Sequence, residues 1–441
     1  MNKIHHRKIN DFLSELGIED LAVRTGFTLR TARKITPEDF LISFFNVMIS
    51  KCYSLRQWAV ELSLLTGRTV SFQAIAKKLQ FRQLPFLKAL LLKGLKFQLR
   101  EHDHLLSGKA DVLFKRILIE DSTCVKLPNC LSQHYPGSRN QYGQKKAIAR
   151  VQLCIDLLTN SFKSLELKSY CDNDATYADR ILEYLKKGDL ILRDRAYSVT
   201  KILKQITEKG AYYISLLHPK RHVKDADNEK VIDLVRVLKR LDKHNMIFLD
   251  KTVILGKTEK LEVRLVCVKL SQKEAQRRRR RPGSRRKGKN RRAATTTYLL
   301  GWNIFITNMP KELLTVKQVY NYYSLRWHIE MIFKTWKSHF KLDKIFSSCK
   351  GKNYAKPELL FYLCMLFLVL IYNPKFNYFQ KVVYGKTGKL LSPMKFAKIV
   401  INHMEIIFQK ESKDLIRIIS KYCCYSTRKD RKNIYEKLLC Y

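Results

Sequence analysis

The chain has 441 residues, too long for one small core, and 46% of them are hydrophobic, so about two to four ordinary globular modules are expected. Its 85 Lys and Arg against 39 Asp and Glu leave a net charge of +46, a field that repels itself unless a polyanion is near. Nucleic acid is therefore the default partner, bound with a steep salt dependence, although charge alone names a partner class and no reaction. The 11 cysteines include no CxxC pair, which excludes a zinc ribbon or a dithiol redox motif. Their odd number and the lack of a secretory leader fit a reducing cytosol.

Residues 1–105 read as a helical domain. Thr36-Pro37 opens a helix rich in Phe and Ile. Within 54–80, Ser54 and Ser71 cap two short helices around a turn at Gly67, the pattern of a helix-turn-helix for DNA or of a plain helical hairpin. From 106 to 217 the texture changes to aliphatic strands alternating with helices, which predicts a mixed α/β sheet with buried central strands. FKRILIED and DLILRD are strands that each end in an acid, and TYADRILEYLKKG is read as a helix closed by Gly188. Residues 218–306 hold strand-like stretches and read as an inserted all-β module. Inside it, 276–293 (QRRRRRPGSRRKGKNRRA) is too densely charged to pack and is expected to be a disordered loop, either solvated or gripping phosphates.

The segment 307–350 contains a helix with a capping box, Thr315 with Gln318. An apolar stripe of Leu325, Ile329, Ile332, Phe333, Trp336 and Phe340 runs along it at helical spacing. On one continuous helix, Tyr323, Arg326, Glu330 and Lys337 fall within an arc of roughly 60°, and Lys334 joins them. A carboxylate flanked by cations and a phenol suits phosphodiester chemistry, although Arg326 and Glu330 alone also read as a surface ion pair. Residues 351–441 are helical again, for dimerisation or DNA contact. The run Leu359–Tyr372 is shorter than the roughly 18 residues of a membrane span and reads as a buried helix stopped at Asn373-Pro374, so no membrane partner is expected.

Asp121 and Asp194 each directly follow an aliphatic run, Ile117-Leu118-Ile119-Glu120 and Leu190-Ile191-Leu192-Arg193. On adjacent strands they would lie within a few Å, and like charges that close call for a cation. Taken singly, each Asp is more often a turn former, and Asp194 is placed to cap the helix after it. Glu120 points to the opposite pleat from Asp121 and reads as structural. Asp172, Asp174 and Asp179 read as loop and helix-start residues.

The order Asp121, Asp194, Glu330, with Tyr323-x2-Arg326-x3-Glu330-x6-Lys337, resembles the D-D-E transposases of bacterial insertion-sequence family four, whose signature is Y-x2-R-x3-E-x6-K. Asp194-Arg195-Ala196-Tyr197 is similar to the family's D-R-G-Y, with Ala in place of Gly. The resemblance covers about 30–375 and implies an RNase H-like mixed sheet core interrupted by the β insertion, with helical N- and C-terminal regions. It implies that Asp121, Asp194 and Glu330 are catalytic and hold two Mg²⁺, for which Mn²⁺ can substitute. Tyr323, Arg326, Lys334 and Lys337 would bind DNA phosphates. Trp302 and Trp327 would stack bases, core packing being the commoner role for Trp327.

The implied activity is metal-dependent cleavage at terminal inverted repeats followed by strand transfer, cut-and-paste transposition of an insertion sequence. In hairpin-forming relatives the freed 3′-hydroxyl attacks the opposite strand. The implied partners are transposon ends and target DNA, with a homodimer in the DNA complex, in a bacterial cytoplasm at the nucleoid. Two alternatives stay open at this point: a catalytically inactive, transposase-derived DNA-binding protein, and a stand-alone RNase H-like nuclease.

Overall fold

The computed structural model describes residues 13–29, 35–101, 113–139, 143, 145–218, 221–256, 259–280, 294–346, 355–408 and 413–426. Helices α1 (Ile18–Arg24), α2 (Pro37–Ser50), α3 (Leu55–Thr66), α4 (Phe72–Lys78) and α5 (Leu84–Glu101) precede strands β1 (Ile117–Leu127), β2 (Pro136–Arg139), β3 (Lys145–Asp156), β4 (Ser161–Ser169) and β5 (Leu190–Arg193). Then come α6 (Thr200–Glu208), β6 (Tyr212–Leu216), β7 (Val223–Asp225), α7 (Leu234–Lys243), β8 (Phe248–Leu255), β9 (Leu261–Lys269), α8 (Gln272–Arg279), α9 (Ala294–Leu299) and β10 (Trp302–Thr307). Helices α10 (Val316–Ser324) and α11 (Trp327–Ser338) lead to α12 (Ala355–Phe367), α13 (Asn373–Thr387), α14 (Pro393–Phe408) and α15 (Lys413–Tyr422). The fold is the mixed α/β, RNase H-like arrangement with helical regions toward both ends.

These elements form two compact units: Met1–Ala110, Ser122–Asp172 and His328–Tyr435 make one, and Asp111–Asp121, Asn173–Trp327 and Glu436–Tyr441 the other. In the second unit β1, β5 and β6 are parallel neighbours, with Ile117 opposite Leu190 and Leu190 opposite Tyr212. β10 lies antiparallel to β6, and β9, β8 and β7 extend the sheet in that order. Ile117, Leu118, Ile119, Leu190, Ile191 and Leu192 are fully buried. Each such side chain contributes about 1.5–3 kcal/mol, which is why an unbroken aliphatic run becomes a central strand. Helix α6 bridges the parallel pair β5–β6 and buries Ile202, Leu203 and Ile206.

The stretch 218–306 carries the expected strands and also three helices, α7, α8 and α9. Its strands continue the core sheet through β10, whose neighbours are β6 and β9. Of the basic stretch 276–293, Gln276–Arg279 belongs to α8, and 281–293 lie outside the described residues.

Two other local expectations differ. Residues 176–188, where the sequence predicts an α-helix, form turns, loop and a short 3₁₀ segment, Arg180–Glu183. The Asn173 side chain accepts from the backbone of Ala175 and Thr176, and the Ala178 carbonyl is taken by Arg193, so the N–H of Leu182 turns to Asp179. β1 also runs on past Asp121 to Leu127, although its pairing with β5 ends at Glu120.

In the first unit Thr36 caps α2, Ser54 caps α3 and Ser71 caps α4, each oxygen accepting the backbone N–H three residues on. Gly67, at φ +68°, closes α3 in the left-handed region that glycine enters at no steric cost. The second half of β1 lies beside β3, and β3 pairs with β2 and β4. Pro374 does not stop the apolar helix. A π-helical segment, Leu368–Tyr372, joins α12 to α13 and relieves the clash that Pro374 would make with an α-helical carbonyl. The resulting helix, Ala355–Thr387, has a window with mean hydropathy 1.8 that is 83% buried inside the protein, as a core helix requires.

Candidate active site

The site starts from one rung of the sheet. Glu120 on β1 faces Arg193 on β5 in the last paired position of the two strands. Arg193 donates from Nε (3.0 Å) and Nη2 (2.6 Å) to Glu120 Oε2. The pair is 1% and 0% exposed. Nη2 also donates to the Ala178 carbonyl at 2.6 Å, and the guanidinium lies 5.3 Å from the centre of the Tyr197 ring. Slipping the strands by one residue would break this buried pair and set either Glu120 against Leu192 or Arg193 against Ile119, so the pair pins the register.

The next residues along the two strands are Asp121 and Asp194. Alternation turns both away from the Glu120–Arg193 side, and neighbouring strands lie about 4.8 Å apart. Asp194 stays extended (φ −73°, ψ 165°) and starts a short 3₁₀ turn, Arg195–Tyr197, yet its side chain makes no capping bond. The local role open to this carboxylate is thus not used.

Asp121 accepts a 2.7 Å hydrogen bond from Arg326 Nη1, an ion pair across 205 residues of sequence. The Arg326 guanidinium also lies 5.9 Å from the centre of the Tyr323 ring, which packs against Phe305. The Tyr323 hydroxyl is buried, with no hydrogen-bond partner among the described residues. Burial holds its phenol well above the usual range, so it stays a proton donor.

The backbone at Arg326 corrects the single-helix expectation. The Thr315–Gln318 capping box forms as expected. Helix α10 ends at Ser324, and Leu325 and Arg326 form a tight turn in which each N–H reaches back three residues, to Tyr322 and Tyr323. Tyr323 and Arg326 therefore belong to the second unit, and Glu330, Lys334 and Lys337 lie on α11 in the first. Such a turn needs no glycine or proline, so residue types gave no sign of it.

On α11, Ile329, Ile332, Phe333 and Trp336 are buried, whereas Glu330 and Lys334 are exposed. Lys337 is half-buried and donates to the Cys124 carbonyl of β1 at 2.7 Å, fastening the helix to that strand. The tryptophans exchange their expected places. Trp302 is 4% exposed at the start of β10, and Trp327 is 54% exposed. As it stands, Trp302 has no free face for a base.

Two groups not singled out by sequence support the site. One is Arg193, detectable only as an arginine inside an aliphatic strand beside an acid. The other is His328, whose Nε2–H donates to Asn160 Oδ1 at 3.1 Å. Asn160 Nδ2 in turn donates to Asn373 Oδ1 and Asn377 Oδ1 on α13. Full burial pushes the His328 imidazole down to about 4, so it is neutral.

The donor chemistry of Asp121 and Asp194 fits a hard divalent cation, since both offer only carboxylate oxygens from the ends of adjacent paired runs. Among the described residues no group of three His, Cys, Asp or Glu side chains could hold a metal ion. Residues 113–368, more than half of the chain, match the family model described as transposase DDE domain. The chain belongs to the DDE transposases. This transposase is 27% identical to the transposase for insertion sequence element IS231B of Bacillus thuringiensis subsp. berliner, over 95% of this chain and 91% of that protein. It is 27% identical to the IS231E transposase of subsp. finitimus over 98% and 92%, and 26% identical to the IS1151 transposase of Clostridium perfringens over 86% and 77%. It is an enzyme of the insertion-sequence transposases, with DNA as its partner and divalent metal as the family's cofactor.

Proposed function

We propose that this transposase binds the terminal inverted repeats of its element, cuts at them and joins the freed ends to target DNA, working as a homodimer at the nucleoid. The Glu120–Arg193 rung carries the reading, because Asp121 and Asp194 are the next residues along the two strands that it holds in register. The Arg326–Asp121 ion pair adds support, since Arg326 precedes Glu330 by four residues.

In this reading Asp121, Asp194 and Glu330 would hold two Mg²⁺, or Mn²⁺ in their place. When bound, the ions would lower the pKa of the attacking oxygen and neutralise charge on the leaving one. Tyr323 donates its phenolic proton to a phosphate oxygen. Arg326, Lys334 and Lys337 neutralise phosphate charge; Lys337 spends one proton on Cys124 and keeps two for ligand. Trp327 offers an exposed ring on which a base can stack. Cleavage adds a water oxygen to phosphorus and releases the 3′-oxygen as a hydroxyl. In strand transfer that hydroxyl replaces water and a target 3′-oxygen leaves, so phosphodiester bonds are conserved.

The test uses DNA carrying the element's own ends. Asp121→Asn, Asp194→Asn and Glu330→Gln should each abolish Mg²⁺-dependent cleavage while leaving end binding intact. Cleavage retained in any one of them overturns the assignment. Cleavage by the wild-type protein with no strand transfer would point to a stand-alone nuclease.

A further inference from the structure

Helix α7 carries an uncompensated basic face. Arg236, Lys239, Arg240 and Lys243 are all exposed, and at about 100° per residue they fall within an arc of about 100°. Leu234 and Leu238 are buried on the opposite side. Lys239 lies 5.8 Å from the centre of the Tyr298 ring. Arg236, Arg240 and Lys243 make no side-chain hydrogen bond or ion pair among the described residues.

The cations on and beside strands β7, β8 and β9 are treated differently. Lys251 pairs with Asp225 at 2.6 Å, Lys260 with Glu229 at 2.8 Å, Lys224 with Glu229 at 3.8 Å, Arg264 with Asp250 at 2.8 Å and Lys269 with Asp242 at 2.7 Å. Asp242, the acid within α7, is thereby spent on Lys269 and Tyr298. Acids are thus matched to the cations on and beside these strands and withheld from the helix face. A general excess of positive charge would not produce that division.

We propose that this face of α7 is a docking surface for the phosphate backbone of duplex DNA, contacted without regard to sequence. The stripe from Arg236 to Lys243 is about 10 Å long, enough for about three phosphates at 3.4 Å of rise per nucleotide. It holds only Arg and Lys, with no Asn or Gln to read an adenine edge, and these cations bind phosphate on any sequence. The surface lies outside the candidate active site, and it rests on the reading of this chain as a DNA-acting transposase.

The experiment compares three full-length proteins: wild type, R236Q/R240Q/K243Q, and a control of equal charge loss, K224Q/K251Q/K260Q. Binding to end DNA and to an unrelated duplex is measured from 50 to 200 mM salt. The helix variant should lose about 2.7 from the slope of log K against log salt, at about 0.9 per phosphate contact. Wild type should then lose about 40-fold more affinity than the helix variant across that range, on both duplexes, while the control keeps the wild-type slope. An unchanged slope in the helix variant, or an equal loss in the control, overturns the surface and leaves the transposase reading standing. A loss confined to end DNA overturns the sequence-independent contact. Failure of the wild-type protein to bind any duplex overturns both.

Discussion

Arg326 Nη1 sits 2.7 Å from Asp121 Oδ2, so the cation of the Y-x2-R-x3-E-x6-K signature is bonded to the first acid of the proposed triad. A guanidinium and a divalent ion compete for the same carboxylate oxygen, and Arg326 is also placed to receive phosphate. Arg326→Gln should therefore cut cleavage by about 10²–10³-fold, the usual cost of removing a preorganised charge donor. Mn²⁺ binding to the free protein, followed by paramagnetic resonance, should hold or tighten. Weakened Mn²⁺ binding would instead make Arg326 a support for the metal ligands.

The Glu120–Arg193 pair predicts a second pattern. Both groups are fully buried, and removing one leaves the other charge uncompensated. Glu120→Gln or Arg193→Met should each lower unfolding stability by about 3–5 kcal/mol in urea titrations. The double replacement E120M/R193M should recover much of that loss, since apolar residues tolerate burial better than a broken pair. It also removes the register lock, so cleavage should stay low after stability returns. Cleavage restored in step with stability would show that the pair serves stability alone.

What could be read in advance follows from the range of the forces involved. The caps at Thr36, Ser54, Ser71 and Thr315 and the aliphatic strands were legible because local chemistry decides them. Helix α7 has local signals as well, Asp233 as cap and Leu234, Leu238 and Leu241 at helical spacing, although the strand-like stretches around it read as an all-β module. The turn at Leu325–Arg326 was not legible, because it contains no residue that breaks a helix. Nor was the non-helical course of 176–188, which depends on the Ala178 carbonyl being taken by a side chain 15 residues away. The burial of Trp302 and exposure of Trp327 are tertiary outcomes with no local signature. The aspartate pair was visible as two similar strand ends, but the Glu120–Arg193 register that aligns them needed the paired strands.

His328 gives the protein an acid-sensitive element. Burial depresses its folded-state pKa to about 4, below the unfolded value of about 6.5. A depressed value means the unfolded chain binds the proton more readily, so stability is fully present above about pH 6.5 and lost as pH falls toward 4. The full effect is about 3 kcal/mol. Urea midpoints measured between pH 7 and 4 should fall in wild type, and His328→Gln, which can still donate to Asn160, should flatten that part of the curve. Equal slopes in the two proteins would assign the acid loss to the carboxylates.

Tyr323→Phe separates function from folding at the site itself. The Tyr323 hydroxyl is buried and protonated, with no hydrogen-bond partner among the described residues, and the charges of Arg326, Asp194 and Asp121 act on it. A buried hydroxyl without a partner costs free energy, so deleting it should leave stability unchanged or raise it by up to about 1 kcal/mol. Packing against Phe305 is kept, because the ring is kept. If the phenol is held ready for a phosphate oxygen, cleavage should nevertheless fall by about 10–100-fold, the scale of one lost hydrogen bond to a charged group. Thermal melts and single-turnover cleavage on the same preparation decide the matter. A Phe variant that is more stable and equally fast would make Tyr323 a packing residue and move the phosphate contacts to Arg326 and the α11 lysines.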